Sequence, residues 1–167
     1  AFTGMILARG DMYAYFYPYW AVRNAALMAG HFPLWTADIF MGVPLLANSQ
    51  IGVFYPPNWL VTPLDAPTAI TISLLLHVAW ALAGAYRVAR GTLGLDQLPA
   101  LVGAAVFGLS GYMGAKVENI NQFQALAWMP WLFLLLHHAM SGQTRRATLG
   151  YGLLLGVGLA LQLLAGH

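Results

Sequence analysis

Residues 66–86 read APTAITISLLLHVAWALAGAY, a run of twenty-one positions without Asp, Glu, Lys or Arg. At ~1.5 Å per residue a helix over this run extends ~31 Å, against ~30 Å for the hydrocarbon core of a bilayer. Asp65 stands before it as a helix N-cap with a proline two residues on, and Arg87 and Arg90 follow it. The stretch predicts a membrane-crossing helix. Downstream, residues 98–115, 123–140 and 147–166 repeat the pattern, each bounded by a charge, a Gly or a Pro. Open sheets cannot satisfy their backbone in lipid, so the spans are read as helices. The fold class expected is all-α transmembrane: a truncated multi-span helical bundle with a long outer loop that contains an interfacial helix.

The composition agrees. Hydrophobic residues make up 60% of the chain and charged ones 7%, where a soluble domain carries about 25% charged. A net charge of +2 with no basic run argues against nucleic acid as a partner. With no cysteine, disulfides and thiolate metal sites are excluded. The chain opens at Ala1 and stops at His167 after an apolar run, with no secretory signal visible. We expect an internal fragment, with residues 1–8 the tail of a missing upstream span, 9–65 an extracytoplasmic loop and 66–167 four membrane helices.

Arg87 and Arg90 follow the first span, and Arg145 and Arg146 precede the fourth. The positive-inside rule makes that side cytoplasmic. Residues 9–65, the 116–122 turn and His167 then lie outside. The outer loop is too aromatic for a solvated linker, and Trp20, Trp35 and Trp59 suit the bilayer interface. Residues 11–29 read as a helix along that interface, with Arg23 and Asn24 toward water and Trp20 and Leu27 toward lipid or the bundle. Gly30 and Pro33 end it. Pro44, Pro56, Pro57 and Pro63 then forbid long regular structure.

Four of the five acids, Asp11, Asp38, Asp65 and Glu118, fall on the outer side. Asp96 precedes the second span as Asp65 precedes the first. Asp11 has two readings: an N-cap for the interfacial helix, or a carboxylate held at the bilayer surface beside Tyr13, Tyr15 and Tyr17. Glu118 is either part of a solvated turn with Lys116 or a second acidic wall of an outer site. His77 lies mid-span, where polar groups face the bundle interior, and reads as a hydrogen-bonded packing residue. His137 and His138 diverge by ~100° on a helix and do not form a metal pair. Gly108, Gly111 and Gly114, like the Gly152-x-x-x-Gly156 pair, suit close helix packing.

The loop carries an ordered set of pieces: Gly10-Asp11, Tyr17-Pro18, Gly30-x-x-Pro33-Leu34-Trp35, and Gly42-x-Pro44-Leu45-x-Ala47-x-x-Gln50-x-Gly52-x-Phe54-Tyr55-Pro56-Pro57. Ser110-Gly111, Trp128-x-Pro130 and Ala165-Gly166-His167 follow. Together they resemble the N-terminal region of bacterial YfhO-type membrane proteins, a family similar to the polytopic C-type (GT-C) glycosyltransferases. The resemblance implies a multi-pass protein of the bacterial cytoplasmic membrane. It would move a sugar from a polyprenyl-phosphate donor to an extracytoplasmic glycan or glycolipid acceptor. A carboxylate in the first outer loop is the catalytic base of that fold, and Asp11 holds the matching place, with Glu118 the candidate second acid. Arg23, Lys116 and Arg9 are candidate phosphate contacts, and Tyr17, Trp35, Gln50, Tyr55 and His167 candidate substrate-loop residues. A divalent metal is left open. The rival readings are a transporter or lipid flippase, which would need polar groups near mid-bilayer, and a non-catalytic assembly subunit that uses the loop for docking.

Overall fold

The computed structural model describes residues 10–142 and 144–166. The expected tail of an upstream span at residues 1–8, Arg9 and His167 lie outside the described residues. A π-helical turn, Met12–Phe16, runs into α1, Tyr17–Met28. Pro18, which has no N–H to donate back to the preceding turn, falls where the π-turn passes into α1. Gly30, at φ +74°, closes the helix by donating to Leu27, while the His31 N–H reaches the Ala26 carbonyl. This is a left-handed stop that glycine adopts without a steric penalty.

An irregular stretch follows, braced where Thr36 and Val43 exchange backbone hydrogen bonds of 3.0 and 2.9 Å. Its tip carries Phe40 and Met41 at φ 49° and 63°. Short α2, Pro56–Trp59, leads to α3, Ala66–Gly91. Asp65 caps α3 by accepting from the Thr68 N–H at 3.1 Å, satisfying a donor that the first helical turn cannot. That hydrogen bond holds the Asp65 carboxyl below its usual range.

Next come α4, Gln97–Gly108, and α5, Gly111–Ala115. The sequence predicted one helix over 98–115, but the chain breaks at Leu109, and Ser110 caps α5 by accepting from the Met113 N–H. Serine's side chain competes for backbone donors, and glycines on either side lower the cost of the break. Asp96 sits at the N-cap of α4 without a side-chain capping bond. Helices α6, Ile120–Met140, and α7, Arg145–Leu164, complete the bundle. No strand occurs among the described residues.

Three helical stretches, Ala66–Gly91, Gln97–Glu118 and Arg145–Leu164, are long and apolar enough to cross a membrane. The third expected span, 123–140, falls within α6. That helix has the length but is not among the three, because Gln122, Gln124, Pro130, His137 and His138 dilute its apolar run.

Helix α3 packs on α4 and α6, and α6 on α7. The Trp131 indole donates to the Trp80 carbonyl at 2.9 Å, while Gln124 reaches Ser73. Helices α3 and α6 therefore run parallel. Gln162 bonds the Ala125 carbonyl and Tyr151 stacks on His138, so α7 runs antiparallel to α6. This alternation gathers residues 10–65, the 116–122 turn and the end of α7 at one end of the bundle. Arg87, Arg90, Arg145 and Arg146 gather at the other. Gly84, Gly108 and Gly158 meet Trp131, Leu82 and Leu132 across helix contacts. Gly111, Gly114, Gly152 and Gly156 face open space, so of the glycines expected to pack closely Gly108 does so, and Gly84 and Gly158 join it.

Candidate functional site

Two polar constellations lie at the loop end. The first is buried. Its sequence basis is a polar stripe of Asn121, Gln124 and Trp128 on α6 opposite Ser73 and His77, four apart on α3, positions that share a helix face. The loop segment 52–62 drops between them. Gln124 Nε2 donates to Asn58 Oδ1 at 2.7 Å and to Ser73 Oγ at 2.9 Å. Asn58 Nδ2 in turn donates to the Gly52 carbonyl at 3.1 Å. Gly52 stands at φ +58°, and a Cβ there would collide with the Asn58 amide.

His77 Nδ1 lies 2.7 Å from the Ser73 carbonyl, which can only accept. Nδ1 therefore carries the proton, and Nε2 accepts from the Tyr55 hydroxyl at 2.7 Å. The Trp128 indole N–H donates to the same hydroxyl at 2.7 Å. Burial pushes the Tyr55 phenol up to about 12 despite that donor. Beside the cluster a cleft of about 300 Å³ opens between Leu60, Leu76, Trp80 and Trp128. The reading of His77 as a bonded packing residue holds.

Arg23 belongs to the same buried layer. Only 1% of it is exposed. Its Nη1 donates to the Ile51 carbonyl at 2.6 Å, its Nε and Nη2 donate to Asn24 Oδ1, and its guanidinium lies 3.9 Å from the Trp20 ring centroid. These partners are neutral, and burial pushes the guanidinium down to about 9. Arg23 and Asn24 thus turn inward, against the expectation that they face water. The long arginine stem packs with the apolar core while its head finds backbone and amide oxygens. This also withdraws Arg23 as a contact for a phosphate at the surface. Tyr55, expected as a substrate-loop residue, is fully buried with its hydroxyl turned to the helices.

The second constellation is open. Asp11 is exposed and in helical conformation, with no side-chain capping bond. The cap reading therefore gives way to a longer contact: Asn119 Nδ2 donates to Asp11 Oδ2 at 3.2 Å, across 108 residues. The Glu118 carboxylate sits against Gly10, close enough that a Cβ there would meet its oxygen. Asp11 and Glu118, far apart in sequence, thus meet at one corner. Lys116 Nζ donates to Gln122 Oε1 at 2.7 Å and lies 5.5 Å from the Tyr112 ring centroid.

Tyr17 is half-buried, and Trp35 and Gln50 are exposed. Among the described residues, no group of three or more His, Asp or Glu is arranged to hold a metal ion. The polar stripe on α6 was the signal that could have revealed the buried cluster. Neither a family model, a curated protein nor a solved structure matches the chain.

Proposed function

We propose that the chain is part of a multi-span membrane glycosyltransferase that takes a sugar from a polyprenyl-phosphate donor, with Asp11 as general base. In this reading residues 10–65 cap the outer end of the bundle, and α1 lies along the bilayer interface. The supporting observation is the corner where Gly10 and Asp11 meet Glu118 and Asn119. It joins the carboxylate singled out by the family resemblance to the only acid of the following turn. The acceptor hydroxyl attacks the anomeric carbon, and its proton passes to the Asp11 carboxylate. The bond to the phosphate oxygen breaks, and the phosphate leaves with the electron pair. A carboxylate is a weak base toward an alcohol, so proton transfer is late and much of its contribution is orientation. Asn119 fixes the carboxylate in place, and among the described residues Lys116 is the candidate cation left for the leaving phosphate.

The transporter reading draws on the polar cluster around His77. Those groups satisfy one another and hold the loop shut, which suits a structural role better than a moving one. The test is sugar transfer from a labelled polyprenyl-phosphate sugar by the protein in membranes. Asp11→Asn keeps the shape and the bond from Asn119 but cannot take the proton. It should cut turnover about 100-fold or more while leaving thermal unfolding unchanged. Turnover near that of the wild type would remove Asp11 from catalysis, and no transfer from any such donor by the wild type would end the enzyme reading.

A further inference from the structure

The loop carries a backbone-bonded finger, residues 34–46, whose side chains are at odds with its geometry. Thr36 and Val43 exchange hydrogen bonds at its middle, and the Leu46 N–H reaches the Leu34 carbonyl nearer its root. At the tip the Gly42 N–H donates to the Ile39 carbonyl at 2.9 Å, which makes a tight turn with Phe40 and Met41 at its centre. Both have positive φ, 49° and 63°, as in a type I′ turn, where Asn-Gly is the unstrained pair. Bulky side chains strain the backbone in this region. Phe40 is nevertheless 76% exposed and Met41 wholly so, so packing among the described residues does not offset the strain. Asp38 beside them is tied back to the finger: Thr36 Oγ1 donates to its carboxylate at 3.2 Å and accepts from its N–H. Strain of this kind persists where the side chains serve something outside the turn.

The surroundings say what that is. Residues 25–64 contain no Lys or Arg and one acid, Asp38. Phe32, at the root of the finger, lies 5.8 Å from Phe54, ring to ring, and both line a groove of about 410 Å³ with Trp59. Leu60, next in the chain, shares a second cleft with Leu76 and Trp80 of α3. All six are exposed. The apolar surface of the loop thus runs on to the face of a helix long enough to cross a membrane, and the medium that covers α3 extends over the loop. A protein-docking patch carries a polar rim, whereas this one has a single charge. We propose that the finger is a membrane prong, with Phe40 and Met41 seated in the hydrocarbon boundary of the leaflet on the loop side. The contact is with acyl chains and not with a headgroup. It rests on α3 crossing the membrane and is independent of sugar transfer.

The chain has no cysteine, so single thiols can carry a fluorophore in the full protein, reconstituted in nanodiscs of dioleoyl phosphatidylcholine. Labels go on Met41→Cys, on Gln50→Cys at an exposed polar position of the loop, and on Leu75→Cys on the exposed face of α3. Phosphatidylcholine with a nitroxide on its acyl chain reports contact with lipid, and aqueous iodide reports contact with water. The Met41 and Leu75 labels should be quenched several-fold more by the nitroxide lipid than by iodide, and the Gln50 label the reverse. Iodide quenching at Met41 alongside lipid quenching at Leu75 would overturn the prong and leave the membrane helix standing. Protection of Met41 from both quenchers would overturn it in favour of a protein cover, a second copy if the protection fades as lipid dilutes the protein. A label on Ala37→Cys, also exposed, tests the anchor itself. Phe40→Asn with Met41→Gly installs the unstrained turn pair and should cut lipid quenching at that label several-fold. Undiminished quenching would show that the tip side chains do not hold the finger in the bilayer, and would sink the proposal.

Discussion

The loop of residues 10–65 and helix α7 dispose of their side chains in opposite ways. The loop takes Arg23, Asn24 and Asn58 inside and gives each a specific oxygen or amide partner. Helix α7 buries Gly158 and leaves Leu153, Val157 and Leu163 exposed over its length. The loop thus depends on partners at fixed positions, and the helix on the medium around it. Water would penalise the outer face of α7, while lipid accepts it without any partner. A substitution in the helix should act through the solvent, and one around the loop through orphaned hydrogen bonds.

The largest expected effect tests the helix side. Leu153→Arg, near the middle of α7, should raise the free energy of membrane insertion by about 2.5–3.5 kcal/mol, read from the inserted fraction in a glycosylation-tagged reporter. A helix facing water would tolerate the change within about 0.5 kcal/mol, and that outcome would break the contrast. On the loop side, Gln124→Leu nearly conserves volume but strands Asn58 Oδ1 and deprives Ser73. A loss of about 2–3 kcal/mol is expected in denaturant unfolding in detergent.

Tyr55→Phe should cost about 1–2 kcal/mol at neutral pH, since Trp128 and His77 lose their shared partner. Tyr55 also carries a pH signature. Its folded value of about 12 lies above the ordinary 10.0, so the folded state holds the phenolic proton longer. The wild type keeps its advantage below pH 10 and loses it as pH rises toward 12. Paired melts should therefore converge in that window, and parallel curves would place the hydroxyl in water. The smallest effect is Asp65→Ala, an exposed cap, whose midpoint shift should fall below that of Gln124→Leu. Because the folded carboxyl titrates low, the Asp65 contribution is present above the ordinary carboxylate range and fades as pH falls through the folded value.

The sequence revealed those features whose cause is local. Asp65 before an uncharged run, Gly30 after an aromatic helix, and His77 inside an apolar one each carry their explanation within a few residues. What escaped depends on distant chain. The inward turn of Arg23 needs the Ile51 carbonyl 28 residues away, and helical periodicity alone sends an arginine to water. The break at Leu109 hid because its apolar run is continuous. The meeting of Asp11 with Asn119 spans 108 residues, and no local pattern encodes it.

The separation of partners has a consequence for biogenesis. Asn58 bonds a residue 66 positions later, and Asn121 bonds the Gly166 carbonyl a further 45 beyond itself. At synthesis rates of about 5–20 residues per second, Asn58 waits on the order of 3–13 s before Gln124 exists. During that interval Asn58 can reach the Gly52 carbonyl nearby, but its Oδ1 lacks the donor that Gln124 will supply. Ribosome pausing between Asn58 and Gln124 would lengthen this exposed stage, which makes the order of translation part of how the protein reaches its shape.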